Sequence, residues 1–91
     1  MNLKSRDIVK VITGNHRLKG MVARVDDLID NMPGNETDLE RLALSGNFAA
    51  INAVTEDHYT QEDGPFYYVK DINTNLGYII AEEDLEKVND R

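Results

Sequence analysis

Residues 66–69 read Phe-Tyr-Tyr-Val, three aromatic rings and a β-branched side chain in a row. Such side chains lose rotamer freedom against a helix turn and fit a pleated, half-buried surface. The stretch "FYYVKDI" (Phe66–Ile72) therefore predicts a strand. Alternation puts Tyr67 and Val69 on one face and Phe66 and Tyr68 on the other, so one face is expected in the core and the other is expected to expose an aromatic. "NTNLG" follows, rich in residues that tolerate positive φ, and predicts a tight turn. "YIIA" then returns as a second strand. A lone hairpin is barely stable in water, so the rest of the chain must supply more strands.

It does so in part. "DIVKVITG" (Asp7–Gly14) is β-branched and ends in glycine, and "GMVARVDDL" (Gly20–Leu28) sets Met21, Ala23 and Val25 on one face. "FAAINAVTE" (Phe48–Glu56) reads as a third strand, placed before the aromatic one. Between Gly20–Leu28 and Phe48–Glu56, Thr37 and Glu40 form a capping box, Leu39, Leu42 and Ala43 recur at helical spacing, and Gly46 follows as a stop. This predicts one short helix between strands two and three. "EEDLEKV" predicts a single helical turn or a short final strand. The expected fold is mainly β, with five strands, in one domain over residues 1–91.

The chain has no cysteine, which removes disulfides, thiol catalysis and thiolate metal sites and fits a cytoplasmic home. No apolar run approaches a membrane span or a signal-peptide core. The net charge is −7, unevenly spread: of ten Lys/Arg and seventeen Asp/Glu, residues 1–25 hold six cations and one acid, and residues 26–91 hold four cations and sixteen acids. Either the basic segment presents a strip to an anionic partner, or it pairs with the acidic remainder of its own chain.

"DINTNLGYIIAE" (Asp71–Glu82) has the look of a calcium loop. Asp71, Asn73, Asn75 and Glu82 stand at positions 1, 3, 5 and 12 of that pattern. Position 6, where the loop needs glycine for its bend, is Leu76, and Gly77 comes one residue late. No helix-forming sequence enters the stretch, so calcium is not expected to bind.

The same residues resemble another pattern better. A strand of paired aromatics, a polar turn, Gly-Tyr-Ile and a closing Leu, here "FYYVKDINTNLGYIIAEEDL", resembles the end of an SH3-like barrel. "DIVKVITGNHRLKGMVARV" resembles a KOW motif at Gly14, Gly20, Val22 and Val25. The two resemblances agree, because KOW segments form the first strands of SH3-like barrels, and they cover residues 5–28 and 66–88. They imply a small five-stranded SH3-like barrel with a helix inserted between strands two and three and a short helical turn near the C-terminus. Gly14, Gly20 and Gly77 would serve its turns. The loop "NHRLK" lacks the Lys-Gly run usual in KOW segments. The chain also lacks the Ala-Leu-Tyr-Asp-Tyr box and the Trp pair of signalling SH3 domains, which removes the basis for proline-rich peptide binding.

No catalytic signature is present. Ser5 and Ser45 sit in no nucleophile elbow, and no glycine-rich phosphate loop occurs. "DHYTQED" gathers Asp57, His58, Glu62 and Asp63, which reads as a solvated acidic loop rather than a metal site. The chain reads as a non-enzyme without cofactor or metal. Three functions remain. The first is a module that docks a protein partner through an acidic face bearing Tyr59, Tyr67, Tyr68 and Tyr78, unless those rings pack in the core. The second, implied by the KOW resemblance, is binding to nucleic acid or the ribosome through Lys10, His16, Arg17, Lys19 and Arg24 on one face. The charge of residues 26–91 opposes it. The third is an acidic mimic of nucleic acid.

Overall fold

The computed structural model describes residues 3–29, 44, 46 and 48–88. Five antiparallel strands form one sheet: β1 (Ile8–Val11), β2 (Val22–Ile29), β3 (Phe66–Asp71), β4 (Gly77–Ala81) and β5 (Leu85–Lys87), in the order β4-β3-β2-β1-β5. The sheet is not closed, because β4 and β5 are its two edges. Helix α1 (Phe48–Thr55) lies between β2 and β3 in sequence, and short 3-10 turns occupy Gln61–Asp63 and Glu82–Asp84.

Helix α1 replaces the strand expected over Phe48–Glu56. The β-branched Ile51 and Val54 suggested a strand, but Ala49, Ala50 and Ala53 are strong helix formers, and Ala50 and Ala53 fall three apart on the buried side. Their small side chains let the helix lie close against β4. Thr55 folds its hydroxyl back onto the Ile51 carbonyl at 2.9 Å. His58, at φ 57°, turns the chain away. The helix expected from the capping box at Thr37 lies outside the described residues, apart from Leu44, which is helical, and Gly46. The fifth strand comes instead from Leu85–Lys87, which pairs with β1 after the 3-10 turn.

The aromatic strand divides the interior. Tyr67 and Val69 point into a cluster with Val9, Val11, Ala23, Val25, Ile80 and Leu85 from the strands and Leu3 from the segment before β1. Phe66 and Tyr68 point the other way, into a cluster with Ala50, Ala53, Tyr59, Ile79 and Ala81. The face expected to expose an aromatic is largely covered: Phe66 is 1% exposed and Tyr68 is half-buried. A strand covered on both faces reads as a continuous apolar run, as "FYYV" does. The second cover is α1, in the place where a strand was expected.

β4 would be a bare edge, and α1 packs along it. The other edge, β5, is only three residues long and carries Lys87, which blunts pairing with a second chain. A bulge at Asp26 separates the pairs Val25 with Val69 and Asp27 with Tyr68.

The β3–β4 hairpin fixes the meaning of the calcium-like stretch. Lys70 pairs with Gly77 and Phe66 with Ala81. Asp71 thus sits at the turn, and Glu82 lies past the far end of the hairpin, ~20 Å away at ~3.3 Å per residue. They do not converge on one ion. At the turn, Asn75 takes the left-handed conformation with φ 62°, and its N–H reaches the Asp71 carbonyl at 2.8 Å. Gly77 does not have the positive φ expected for it. The turn needs a glycine there for another reason. Tyr68 lies across its Cα, so that an added Cβ would strike the phenol ring, with Cε1 at 2.7 Å. Gly20 does sit at φ 90°, as a turn glycine should, whereas Gly14 has neither a positive φ nor a close neighbour that requires glycine.

Candidate functional site

The loop from Thr13 to Lys19 joins β1 to β2 and folds over the C-terminal end of α1. His16 carries the contact. Its Nδ1 accepts the backbone N–H of Leu18 at 3.0 Å, so the ring hydrogen lies on Nε2 and reaches the Tyr59 hydroxyl, also at 3.0 Å. The Tyr59 hydroxyl donates in turn to Asp84 Oδ2 at 2.5 Å, and Thr13 donates to Asp84 Oδ1. Three segments far apart in sequence are thus joined by one chain of donors and acceptors. Burial holds the Tyr59 phenol well above its ordinary pKa, and the hydrogen bond to Asp84 pushes it further up.

Arg17 adds a second tie. Its guanidinium grips Asp57 with two bonds, 2.7 Å from Nε and 3.2 Å from Nη2, and lies 5.7 Å above the Tyr78 ring. The Asp57 side chain is only 2% exposed. Thr13, His16, Arg17, Glu56, Asp57, His58, Tyr59, Asp63 and Asp84 line a cleft of about 330 Å³. Among the described residues no group of three His, Asp or Glu is arranged to hold a metal ion.

The basic residues do not share one face. His16 and Arg17 turn into the cleft, while Lys10 and Arg24 point outward from β1 and β2 because Val9, Val11, Ala23 and Val25 point inward. Lys19 is exposed on the loop. Arg24 Nε lies 3.3 Å from Asp26, and Lys70 shares that carboxylate at 3.9 Å. Glu86 pairs across from Lys10. The loop's own acidic partners take up His16 and Arg17, and this breaks the strip.

The tyrosines separate as well. Tyr59, 7% exposed, packs edge-on against Phe66 with ring centres 5.4 Å apart. Tyr67 is buried, and its hydroxyl donates to Glu82 at 2.7 Å. Burial, then that bond, raises its pKa. Neither can form part of an exposed platform, because the sheet and α1 enclose both rings. Tyr68 and Tyr78 are half-buried and line a groove of about 340 Å³ together with Phe48, Asn52, Leu76 and Gly77. Phe48 is 64% and Leu76 57% exposed. Sequence reading missed both residues, since a lone Phe opening an expected strand and a Leu in a turn give no sign of meeting.

The groove and the cleft lie at opposite ends of one structural pair. Phe48 opens α1 and Gly77 opens β4, and both line the groove. Glu56 and Asp57 follow α1, Glu82–Asp84 follows β4, and Glu56, Asp57 and Asp84 line the cleft. The Glu82 N–H bonds the Pro65 carbonyl at 2.9 Å, which sets the two 3-10 turns side by side. Four carboxylates, Glu56, Asp57, Asp63 and Asp84, thus line the cleft, and Glu62, Glu82 and Glu83 neighbour them in the chain. Arg17 is the one Lys or Arg on the cleft wall among the described residues. No helix among the described residues is long and apolar enough to cross a membrane. No family model matches this chain, and no curated protein or solved structure matches it.

Proposed function

We propose that this chain is a non-enzymatic docking module that holds a basic stretch of a protein partner at its acidic end. The observation that carries the reading is the gathering of four carboxylates, Glu56, Asp57, Asp63 and Asp84, on a cleft that holds one arginine, with Glu62, Glu82 and Glu83 next to them in the chain. Asp57, Asp84 and Glu82 are satisfied by Arg17, by Tyr59 and Thr13, and by Tyr67. Glu56, Glu62 and Glu83 are exposed and have no ion pair among the described residues. A field of this kind speeds encounter with a cationic surface and selects against anionic ones. The absence of a nucleophile elbow and of a phosphate loop from the sequence supports a binding role over a catalytic one.

The scaffold we assign is an SH3-like barrel. The strand order β4-β3-β2-β1-β5, with a 3-10 turn between β4 and β5, supports it. The reading of a KOW-type nucleic-acid binder ranks second. Lys10, Lys19 and Arg24 stay exposed, but His16 and Arg17 are engaged inside the protein.

Amide chemical shifts followed during titration distinguish the two. A tetralysine peptide is expected to move the amides of residues 56–63 and 82–84, and to lose that effect as salt rises. Glu62→Lys with Glu83→Lys should remove it. Micromolar binding of a single-stranded RNA, with shifts at Lys10, Lys19 and Arg24 and none from the peptide, would put the nucleic-acid reading in its place.

A further inference from the structure

We infer that the partner segment carries an apolar anchor as well as its basic residues, and that it runs along the seam of α1 and β4 from the apolar groove to the acidic end. This rests on the docking reading above and specifies its ligand. α1 and β4 start together at the groove and finish together at the cleft. From Phe48, at the head of the groove, to Glu56, on the cleft, is a step of eight residues along the helix. At 1.5 Å per residue that is a separation of ~12 Å. An extended peptide covers the same distance in about four residues.

The groove has the features of an anchor pocket. Tyr68 supplies a half-buried ring, Tyr78 borders the groove from β4, Phe48 and Leu76 supply exposed apolar walls, and no charged residue lines it among the described residues. Gly77 keeps it open, because a side chain there would displace the Tyr68 ring that forms its wall. Asn52 adds an amide able to bond a peptide backbone. An exposed apolar groove selects for an apolar side chain and a carboxylate cluster for cations. Their fixed separation therefore specifies a spacing: one large apolar residue, about three intervening residues, then Lys or Arg. A second copy of this chain fits less well, since its net charge of −7 repels its own acidic end. Arg17 is the positioning residue between the two sites, one end of its guanidinium on Asp57 and its face over Tyr78.

Fluorescence anisotropy with short labelled peptides tests the spacing. The probe has tryptophan, three alanines and two arginines, made in both chain directions. At low salt, replacing the tryptophan by alanine should weaken binding about tenfold, the effect of losing one anchor. Moving the arginines next to the tryptophan should weaken it by a similar factor. Phe48→Ala, at an exposed position that folding does not need, should weaken the tryptophan peptide and leave the alanine peptide unchanged. Binding that depends on the arginines alone, indifferent to anchor, spacing and Phe48, overturns the inference and leaves the docking reading standing. Failure of every arginine peptide to bind overturns both.

Discussion

Two groups of residues from the same basic N-terminal stretch end in opposite physical situations. His16 and Arg17 lie in a loop that folds over the end of α1, where they meet Tyr59, Asp57 and Asp84; the His16 and Asp57 side chains are buried, while Arg17 reaches Asp57 from a partly exposed position. Arg24 stands on the outer face of β2 and shares Asp26 with Lys70, all three in contact with solvent. A hydrogen bond in the first setting is costly to break, because its partner is left buried and unpaired. An ion pair in the second is screened and contributes little. A charge run in the sequence therefore carries no single meaning. Its consequences depend on which of its members tertiary contact removes from water.

The largest effect should appear at the centre of the buried junction. Tyr59→Ala removes a core ring as well as its hydroxyl and should cost ~3–5 kcal/mol. Tyr59→Phe keeps the ring packed on Phe66 but strands His16 Nε2–H and Asp84 Oδ2, and should cost ~1–3 kcal/mol. Urea unfolding followed by circular dichroism measures both. Next in size is Arg17→Gln. It leaves the buried Asp57 carboxylate without its two charged bonds, yet Arg17 is itself about one-third exposed, so a loss of ~1–2 kcal/mol is expected. Arg24→Gln should cost less than ~0.5 kcal/mol. Equal losses at Arg17 and Arg24 would break the distinction between the two groups.

What the sequence revealed follows the same division. β1 and β2 were legible because β-branched residues alternate with polar ones there, and β3 and β4 because they are short runs of aromatic and β-branched residues, a local signal that packing then reinforces. Phe48–Thr55 was not. Phe48, Ile51 and Val54 favour a strand locally, and what decides for a helix is contact of Ala50 and Ala53 with β4, more than twenty residues away. The site was legible only as ingredients. His16, Arg17 and Tyr59 were all picked out, but for separate surfaces, and nothing local joins a loop at residue 16 to a phenol at residue 59. Gly77 was identified as structural for a reason that does not hold. Its neighbour Tyr68 requires it, and its backbone does not.

Alkaline pH distinguishes the buried phenols in another way. Burial first, and the carboxylate acceptors Asp84 and Glu82 second, raise the pKa of Tyr59 and Tyr67 in the folded protein above the unfolded value of 10.0. Below that value both states hold the proton, and the stabilisation is fully present. Above it, the unfolded chain gives up protons that the native state keeps, so stability falls as pH rises. Each tyrosine adds up to ~1.4 kcal/mol per pH unit to that slope. Unfolding free energies measured from pH 9 upward should decline more gently in Tyr59→Phe, once its lower starting stability is subtracted. An identical slope would mean that Tyr59 ionises as easily folded as unfolded.

The smallest effect belongs to the outer face. Arg24 and Lys70 are direct cross-strand neighbours, an arrangement in which like charges repel. The bulge in β2 inserts Asp26 there, with its two oxygens 3.3 Å from Arg24 and 3.9 Å from Lys70. One carboxylate so placed offsets two cations. Asp26→Asn keeps the shape and removes the charge, and should cost ~0.2–1 kcal/mol at low ionic strength, the range for exposed pairs. Since the three groups are in water, the loss should vanish near ~1 M salt, where the screening length is ~3 Å. The loss from Tyr59→Phe should survive the same salt, because its partners are buried. Denaturation midpoints of both variants at low and high salt give the comparison directly. A loss at Asp26 that salt does not reduce would mean that the side chain acts by shaping the bulge, and that its charge contributes nothing.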